Sequence, residues 1–143
     1  MKRFLLNNGS EYSYEQLLAS LNESDKYYLL YKQLDLYLFF VNLIKALANN
    51  APLVLLDADL NETEIDGVNV AEINVPTKIV STTFVNMEAV VEAVKNSTSE
   101  ITIFTSGTTG QPKKVVHCVQ TLMRAVRFGE KYINRLLKLH QVP

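Results

Sequence analysis

The chain has few of the residues that mark specialised protein classes. It contains one cysteine, Cys118, and no tryptophan among its 143 residues. A single cysteine excludes an internal disulfide and any metal site built from several cysteines, so a reducing compartment is expected. The 14 Lys and Arg residues nearly balance the 15 Asp and Glu residues, which leaves no overall field to attract nucleic acid or an anionic membrane. Any binding by this protein is therefore expected to depend on a local group of residues and not on its overall charge.

Long apolar runs are also missing. The apolar run near the amino terminus, residues 4–6, is too short for the hydrophobic region of a signal peptide. The longest apolar segment, residues 27–48, is too polar to span a membrane. Four polar side chains interrupt it: Lys32, Asp35, Asn42 and Lys45. The sequence predicts a soluble, cytoplasmic protein without a membrane span.

Apolar residues are nevertheless abundant overall, at 48% of the chain. A chain of this length and composition can bury a proper core. It shows no repeat, low-complexity block or linker. Residues 1–143 are therefore predicted to form a single domain with no internal boundary.

Helical patterns are clear near the amino terminus. Residues 14–21 are predicted to form a short helix capped by Ser13. Residues 24–48 are predicted to form a long, mostly buried helix with one narrow polar stripe, made of Lys32, Asp35, Asn42, Lys45 and Asn49. Its aromatic side chains are expected to pack in the core, with an apolar ligand pocket as the alternative. These side chains are Tyr37, Phe39 and Phe40.

Two further helices are predicted in the second half of the chain. Four apolar residues recur at helical spacing after the potential cap Asn86: Met87, Val90, Val91 and Val94. Residues 120–139 form the last predicted helix. Five basic residues lie along one stripe of it: Arg124, Arg127, Lys131, Arg135 and Lys138. A solvated face is the favoured interpretation of this stripe, and contact with a nucleotide phosphate or an acidic carrier protein is the alternative.

Short apolar runs predict the strands. Residues 52–56 suit a parallel strand that is covered on both faces, and residues 101–104 and 114–118 are β-prone. Weaker strand signals occur at residues 68–75 and 78–80. Because strands alternate with helices, the predicted fold class is α/β, an open and at least partly parallel sheet with helices on its faces.

Acidic residues follow the first of these strands, in residues 57–64. They open with the spacing of a calcium loop, but Glu62 occupies the position that requires glycine. Capping by Asn61 and Glu64 and solvation are the favoured interpretation. No metal site is predicted.

A glycine-rich loop follows the strand predicted at 101–104. It consists of Thr105, Ser106, Gly107, Thr108, Thr109, Gly110, Gln111, Pro112 and Lys113. Gly107 and Gly110 let the backbone approach a ligand closely, and the hydroxyl side chains supply hydrogen-bond donors. Lys113, with Lys114 behind it, supplies charge for a triphosphate. The loop is predicted to bind polyphosphate at the carboxyl end of a strand, where ligands of open α/β sheets bind.

Other phosphate loops fit this stretch poorly. A Walker loop needs Gly before its lysine and Ser or Thr after it, but here those residues are Pro112 and Lys114. The dinucleotide fingerprint needs a third glycine beyond Gly107 and Gly110. A flexible turn of small polar residues remains the alternative. The adjacent His117 and Cys118 point to opposite faces of a strand and cannot act as base and nucleophile, so Cys118 is expected to pack.

The loop resembles the signature loop of the adenylate-forming superfamily, which includes acyl- and aryl-CoA synthetases, peptide-synthetase adenylation domains and firefly luciferase. The flanking residues 103–104 and 115–117 are also similar, and weaker similarity covers residues 12–17 and 45–57. Two positions differ from the family. Lys114 stands where glycine is usual, and Val119 stands where a histidine is common.

The resemblance implies an AMP-forming ligase that joins a carboxylate to a thiol. A carboxylic acid would attack the α-phosphate of ATP with Mg²⁺, and the acyl-adenylate would pass to CoA or to the phosphopantetheine of a carrier protein. The loop, residues 105–113, would hold the β- and γ-phosphates. Fatty, aryl and amino acids all fit this resemblance.

The other working parts of that family have no match before Pro143. The chain is therefore expected to be the amino-terminal portion of the AMP-binding domain of a longer enzyme, without catalytic residues of its own and inactive alone. The rival hypothesis is a non-catalytic interaction module derived from the same fold, which Lys114 and Val119 mildly favour.

Overall fold

The computed structural model describes residues 2–57, 65–105 and 112–125. Within these ranges the chain forms strands and helices in mixed order. The strands are β1 (Arg3–Asn7), β2 (Ser10–Ser13), β3 (Lys26–Tyr28), β4 (Leu30–Tyr31), β5 (Leu53–Leu55), β6 (Pro76–Lys78), β7 (Glu100–Thr105) and β8 (Lys113–Cys118). The α-helices are α1 (Tyr14–Asn22), α2 (Leu36–Ala48), α3 (Met87–Lys95) and α4 (Val119–Ala125).

The largest sheet has four strands in the order β4-β5-β7-β8. β4, β5 and β7 run parallel, and β8 returns antiparallel beside β7. One row of paired residues crosses all four strands: Tyr31, Leu55, Ile103 and Val115. The predicted α/β class with a partly parallel sheet is confirmed. The strands predicted at 52–56, 101–104 and 114–118 are also confirmed, as β5, β7 and β8.

Helix α2 packs against this sheet and against the other helices. Its Ala46 lies in a buried cluster with Leu53 of β5, and its Leu47 in another with Ile101 of β7. Leu53 is fully buried and Ile101 is 3% exposed. A third cluster joins the helices through Leu17, Leu21, Ala48, Phe84 and Val90. Helix α2 thus packs on strands β5 and β7 of the sheet, and Val119 of α4 joins the cluster at Ile101.

Two predicted helices are confirmed together with their caps. The Ser13 hydroxyl accepts a hydrogen bond from the Gln16 backbone N–H at 3.1 Å, and the Gln16 side chain accepts one from the Ser13 N–H at 2.7 Å. This reciprocal pair is a capping box at the start of α1. Asn86 caps α3 by accepting from the Ala89 N–H at 2.9 Å. In both cases the capping side chain bonds a backbone N–H only three residues further along the chain.

The long helix predicted at 24–48 is wrong over its first half. That segment forms β3 and β4, and α2 begins at Leu36. The Asp35 carboxylate accepts a hydrogen bond from the Leu38 N–H at 2.9 Å and so caps the helix there. The preceding tyrosines and leucines find strand partners in β6 and β5. Tertiary pairing therefore overrides the helical pattern of the sequence.

The weaker strand predictions also need correction. A 3₁₀ helix at Val70–Glu72 interrupts the strand expected at 68–75, because the Asn69 side chain accepts from the Ala71 N–H at 3.1 Å. The strand expected at 78–80 lies earlier, as β6. The capping residues expected at Asn61 and Glu64 lie outside the described residues, as does the last predicted helix beyond Ala125.

Three asparagines hold separate segments together in the same way. Each side-chain amide accepts a hydrogen bond from the backbone N–H of one distant residue and donates one to its carbonyl. Asn42 holds Tyr28 at 2.8 and 3.0 Å. Asn22 holds Phe84 at 2.9 and 2.8 Å, and Asn74 holds Lys32 at 2.9 Å in both bonds. We call these pairs asparagine clasps.

Candidate functional site

The carboxyl ends of β4, β5 and β7 meet at one edge of the sheet because these strands are parallel. Tyr31, Leu55 and Ile103 are paired across the sheet, so the residues that follow them lie at the same level. The ladder continues past the last assigned pair, since the Leu56 N–H donates to the Tyr31 carbonyl at 3.0 Å. This carboxyl edge is where open α/β sheets bind their ligands.

The predicted phosphate loop joins β7 to β8 at this edge. The two strands form a hairpin in which Thr105 pairs with Lys113 and Phe104 with Lys114. The hairpin register therefore brings the first and last residues of the predicted loop side by side. The connecting residues Ser106, Gly107, Thr108, Thr109, Gly110 and Gln111 lie outside the described residues. Pro112 is half-buried, and Lys113 is exposed at the start of β8.

Two more charged residues follow strands at the carboxyl edge. Lys32 comes directly after β4, where the Asn74 clasp fixes its backbone. Asp57 lies two residues beyond Leu55 and is exposed. The helical pattern of residues 24–48 predicts Lys32 on the polar stripe of a helix, which does not connect it with the loop. The signal that could have found it is the β-prone run of tyrosines and leucines before it.

The electrostatics of the edge are mixed. Lys32 and Lys113 bring positive charge and Asp57 brings negative charge to neighbouring strand ends. Polyphosphate requires cations, and a carboxylate at such an edge can hold a divalent cation that accompanies a nucleotide. Among residues 2–57, 65–105 and 112–125, no three His, Cys, Asp or Glu side chains gather as metal ligands.

His117 and Cys118 lie at the end of the β7–β8 hairpin that is opposite the loop, where Cys118 pairs with Glu100. The Cys118 Sγ lies 2.9 Å from the Thr121 hydroxyl at the start of α4. Hydrogen bonds from the side chain and then the backbone of Thr121 hold the pKa of Cys118 below its usual value, although burial opposes them. Cys118 is half-buried and engaged locally, so it takes no part in the carboxyl edge.

The basic stripe predicted along the last helix is described only at Arg124, which is exposed in α4. Its other members, Arg127, Lys131, Arg135 and Lys138, lie outside the described residues. None of the helices in the described part of the chain combines the length and apolar character needed to cross a bilayer.

No protein-family model matches the chain, and neither a curated protein nor a solved structure matches it. The resemblance of the loop to the adenylate-forming superfamily therefore stands on the residues themselves.

Proposed function

We propose that residues 105–113 bind the β- and γ-phosphates of ATP in an AMP-forming carboxylate–thiol ligase of which this chain forms a part. The observation that carries the proposal is the loop sequence, in which hydroxyl residues surround Gly107 and Gly110 and a Pro-Lys pair follows. Such a loop offers backbone N–H groups, hydroxyl donors and one cation to a polyphosphate.

The surroundings of the loop support this proposal. Thr105 and Lys113 are neighbours at the carboxyl edge, so both ends of the loop lie where ligands of such sheets bind. Lys113 is exposed there, so its ammonium group does not have to be buried inside the fold to reach a phosphate. Lys32 lies after the parallel strand β4 at the same edge and adds positive charge.

In the proposed reaction the loop stabilises charge. As a carboxylate attacks the α-phosphate of ATP, negative charge accumulates on the departing pyrophosphate. Lys113 and the loop hydroxyls would neutralise and hydrogen-bond this group, while Mg²⁺ would arrive with the nucleotide. The acyl group of the resulting acyl-adenylate would then pass to the thiol of CoA or of a carrier-protein phosphopantetheine, and AMP would leave.

The test is ATP–pyrophosphate exchange in the proposed ligase, with fatty, aryl and amino acids supplied in turn. Lys113→Ala should reduce exchange on the order of a hundredfold, as removal of one charge-stabilising group does elsewhere. Lys95→Ala, a change of the same kind on the exposed face of α3, serves as the control. Exchange that Lys113→Ala leaves unchanged would refute the role of Lys113.

The alternative is an interaction module that has the fold without the chemistry. Lys114 and Val119, which differ from the family pattern, favour it. Exchange with none of the acids, together with no change in the ³¹P resonances of millimolar ATP, would support the module over the enzyme.

A further inference from the structure

A cavity of about 310 Å³ lies between α1, α2 and the two-stranded sheet of β3 and β6. Four of the seven tyrosines of the chain line it: Tyr27, Tyr28, Tyr31 and Tyr37. Its volume lies at the small end of the range typical of ligand pockets, about 300–1,000 Å³. The cavity therefore suits a ligand of one or two rings.

The tyrosine walls are fixed by contacts among themselves and with their neighbours. Tyr28 stacks on Tyr31 with ring centres 4.9 Å apart, and Tyr37 stacks on Tyr12 at 4.0 Å. The Tyr37 hydroxyl lies 2.7 Å from the Ser20 hydroxyl. Because these rings are already ordered, a flat ligand that packs against them adds little ordering cost.

Lys45 is the charged residue buried at this cavity. It lies in the last turn of α2 and is only 5% exposed. Its Nζ forms a hydrogen bond of 3.2 Å with the hydroxyl of Ser24, which also lines the cavity. Among the described residues no carboxylate oxygen lies within 4.0 Å of the Lys45 Nζ. An ammonium group has three N–H donors, so Lys45 retains capacity for an anionic partner.

Among the polar groups that line the cavity, Lys45 is the one best suited to bind an anionic ligand. The Asn42 amide uses one N–H and its oxygen in the clasp on the Tyr28 backbone, and it carries no charge. Glu23 and Lys26 lie exposed at the cavity and carry opposite charges, while Asp25 contacts Lys78 at 3.7 Å. The buried charge at the cavity is therefore positive, and the exposed charges of Glu23 and Lys26 offset each other.

Burial of Lys45 has an electrostatic cost that a ligand would remove. Desolvation lowers the pKa of Lys45, and the negative charges of Glu23 and Asp25 only oppose this effect from a distance. A carboxylate in direct contact would compensate the buried charge through a charge-assisted hydrogen bond.

We propose that this cavity binds a small aromatic carboxylate, with its ring against the tyrosines and its carboxylate on the Lys45 ammonium. The inference is independent of the phosphate loop, because none of the elements that build the cavity belongs to the β7–β8 hairpin. It implies binding only, and no reaction of the ligand.

Benzoate is the probe, titrated into the 143-residue chain while the tyrosine ring resonances are followed by NMR. We expect saturable shifts in the resonances of Tyr27, Tyr28, Tyr31 and Tyr37. Benzamide has the same ring without the charge, and cyclohexanecarboxylate has the charge without the aromatic ring. Each should bind at least about tenfold more weakly than benzoate, since each lacks one of the two contacts.

Lys45→Met tests the anchor while preserving most of the side-chain length. It should weaken benzoate binding at least about tenfold and leave benzamide binding unchanged. Lys95→Met on α3 is the matched control and should change neither. Equal affinity for benzoate and benzamide, shifts confined to other tyrosines, or no saturable binding would overturn the proposal. The ligand comparison on the unaltered chain decides the matter even if Lys45→Met does not fold.

Discussion

The phosphate loop and the tyrosine cavity contrast in how the chain builds them. The loop is one continuous stretch, residues 105–113, and its ends are brought together by the hairpin of β7 and β8. The cavity draws its walls from α1, β3, β4, α2 and β6, which are spread over residues 20–76. A continuous site can be read from residue order, whereas a dispersed one exists only after the strands and helices have packed.

The two regions also differ in how much they contribute to the free energy of unfolding. The cavity is built on buried residues and on the Asn42 clasp, so changes there should alter the free energy of unfolding. Lys113 is exposed at the edge of the sheet, so changes there should alter binding with little effect on stability. Asn42→Ala, Lys45→Met and Lys113→Ala test this contrast, and Ser13→Ala tests a helix cap for comparison.

The largest effect is expected from Asn42→Ala. Asn42 is 4% exposed, and its loss leaves the N–H and the carbonyl of Tyr28 without their side-chain partner. We expect the free energy of unfolding to fall by about 3 kcal/mol, measured by urea denaturation. Asn74→Ala removes a clasp of the same geometry from an exposed site and should cost about 1 kcal/mol. Equal losses of unfolding free energy for the two variants would contradict the expectation that a buried clasp stabilises the fold more than an exposed one.

Lys45→Met should have the next largest effect and should stabilise the protein, by about 2 kcal/mol at neutral pH, because it removes a buried charge. The pKa of Lys45 is lowered from its ordinary value of 10.5, so the unfolded chain binds more protons than the folded one between the two pKa values. Stability of the unaltered chain should therefore rise with pH in that window relative to Lys45→Met.

The measurement is urea denaturation of both chains from neutral pH to pH 10.5, compared as a difference. Burial raises the pKa values of Tyr27 and Tyr31, which would lower stability as these groups ionise, but both chains share that contribution. A gap between the two chains that stays constant over this range would contradict a charged, desolvated Lys45.

Ser13→Ala should have a smaller effect, on a feature determined by adjacent residues. It removes the hydroxyl that accepts from the Gln16 N–H and so breaks the capping box of α1. We expect a loss of about 1 kcal/mol in urea denaturation. Ser13→Asp retains a capping oxygen and should restore most of the stability; a loss as large as that of alanine would argue against capping.

Lys113→Ala should have the smallest effect on stability, within about 0.5 kcal/mol, as is usual for exposed side chains. It should nevertheless weaken the binding of tripolyphosphate, followed by ³¹P NMR. Lys114→Ala changes the neighbouring residue, whose side chain points to the other face of β8, and should weaken binding less. Equal losses for the two would show a general charge effect instead of a directed contact.

Local signals explain most of what could be predicted from the sequence. Ser13 and Asn86 mark the starts of α1 and α3 because a cap acts on the backbone only two or three residues away. The apolar run of β5 and the β-prone run of β7 predicted their strands for a similar reason. In contrast, residues 24–35 are rich in residues that suit a buried helix or a buried strand, and only the partners β5 and β6 select the strand.

The polar stripe expected on the long helix shows the same limit. The helical pattern places Asn42 and Lys45 on this narrow polar stripe, yet both are buried, at 4% and 5% exposure. Helical periodicity groups polar residues correctly but does not say what they face. Here Asn42 faces a strand that uses its amide as a partner, and Lys45 faces a cavity. Tyr37, expected in the core or at an apolar pocket, is buried and lines that cavity.

The helix caps, the strands that follow from short apolar runs and the phosphate-loop hypothesis could all be predicted from residue order, because each depends on residues close together in the chain. Three features came from the packing of distant segments: the strand conformation within residues 24–35, the pairing of Thr105 with Lys113, and the burial of Asn42 and Lys45 beside the tyrosines. These features depend on contacts between distant segments. Residues that are adjacent in the chain do not determine the free energy of such contacts.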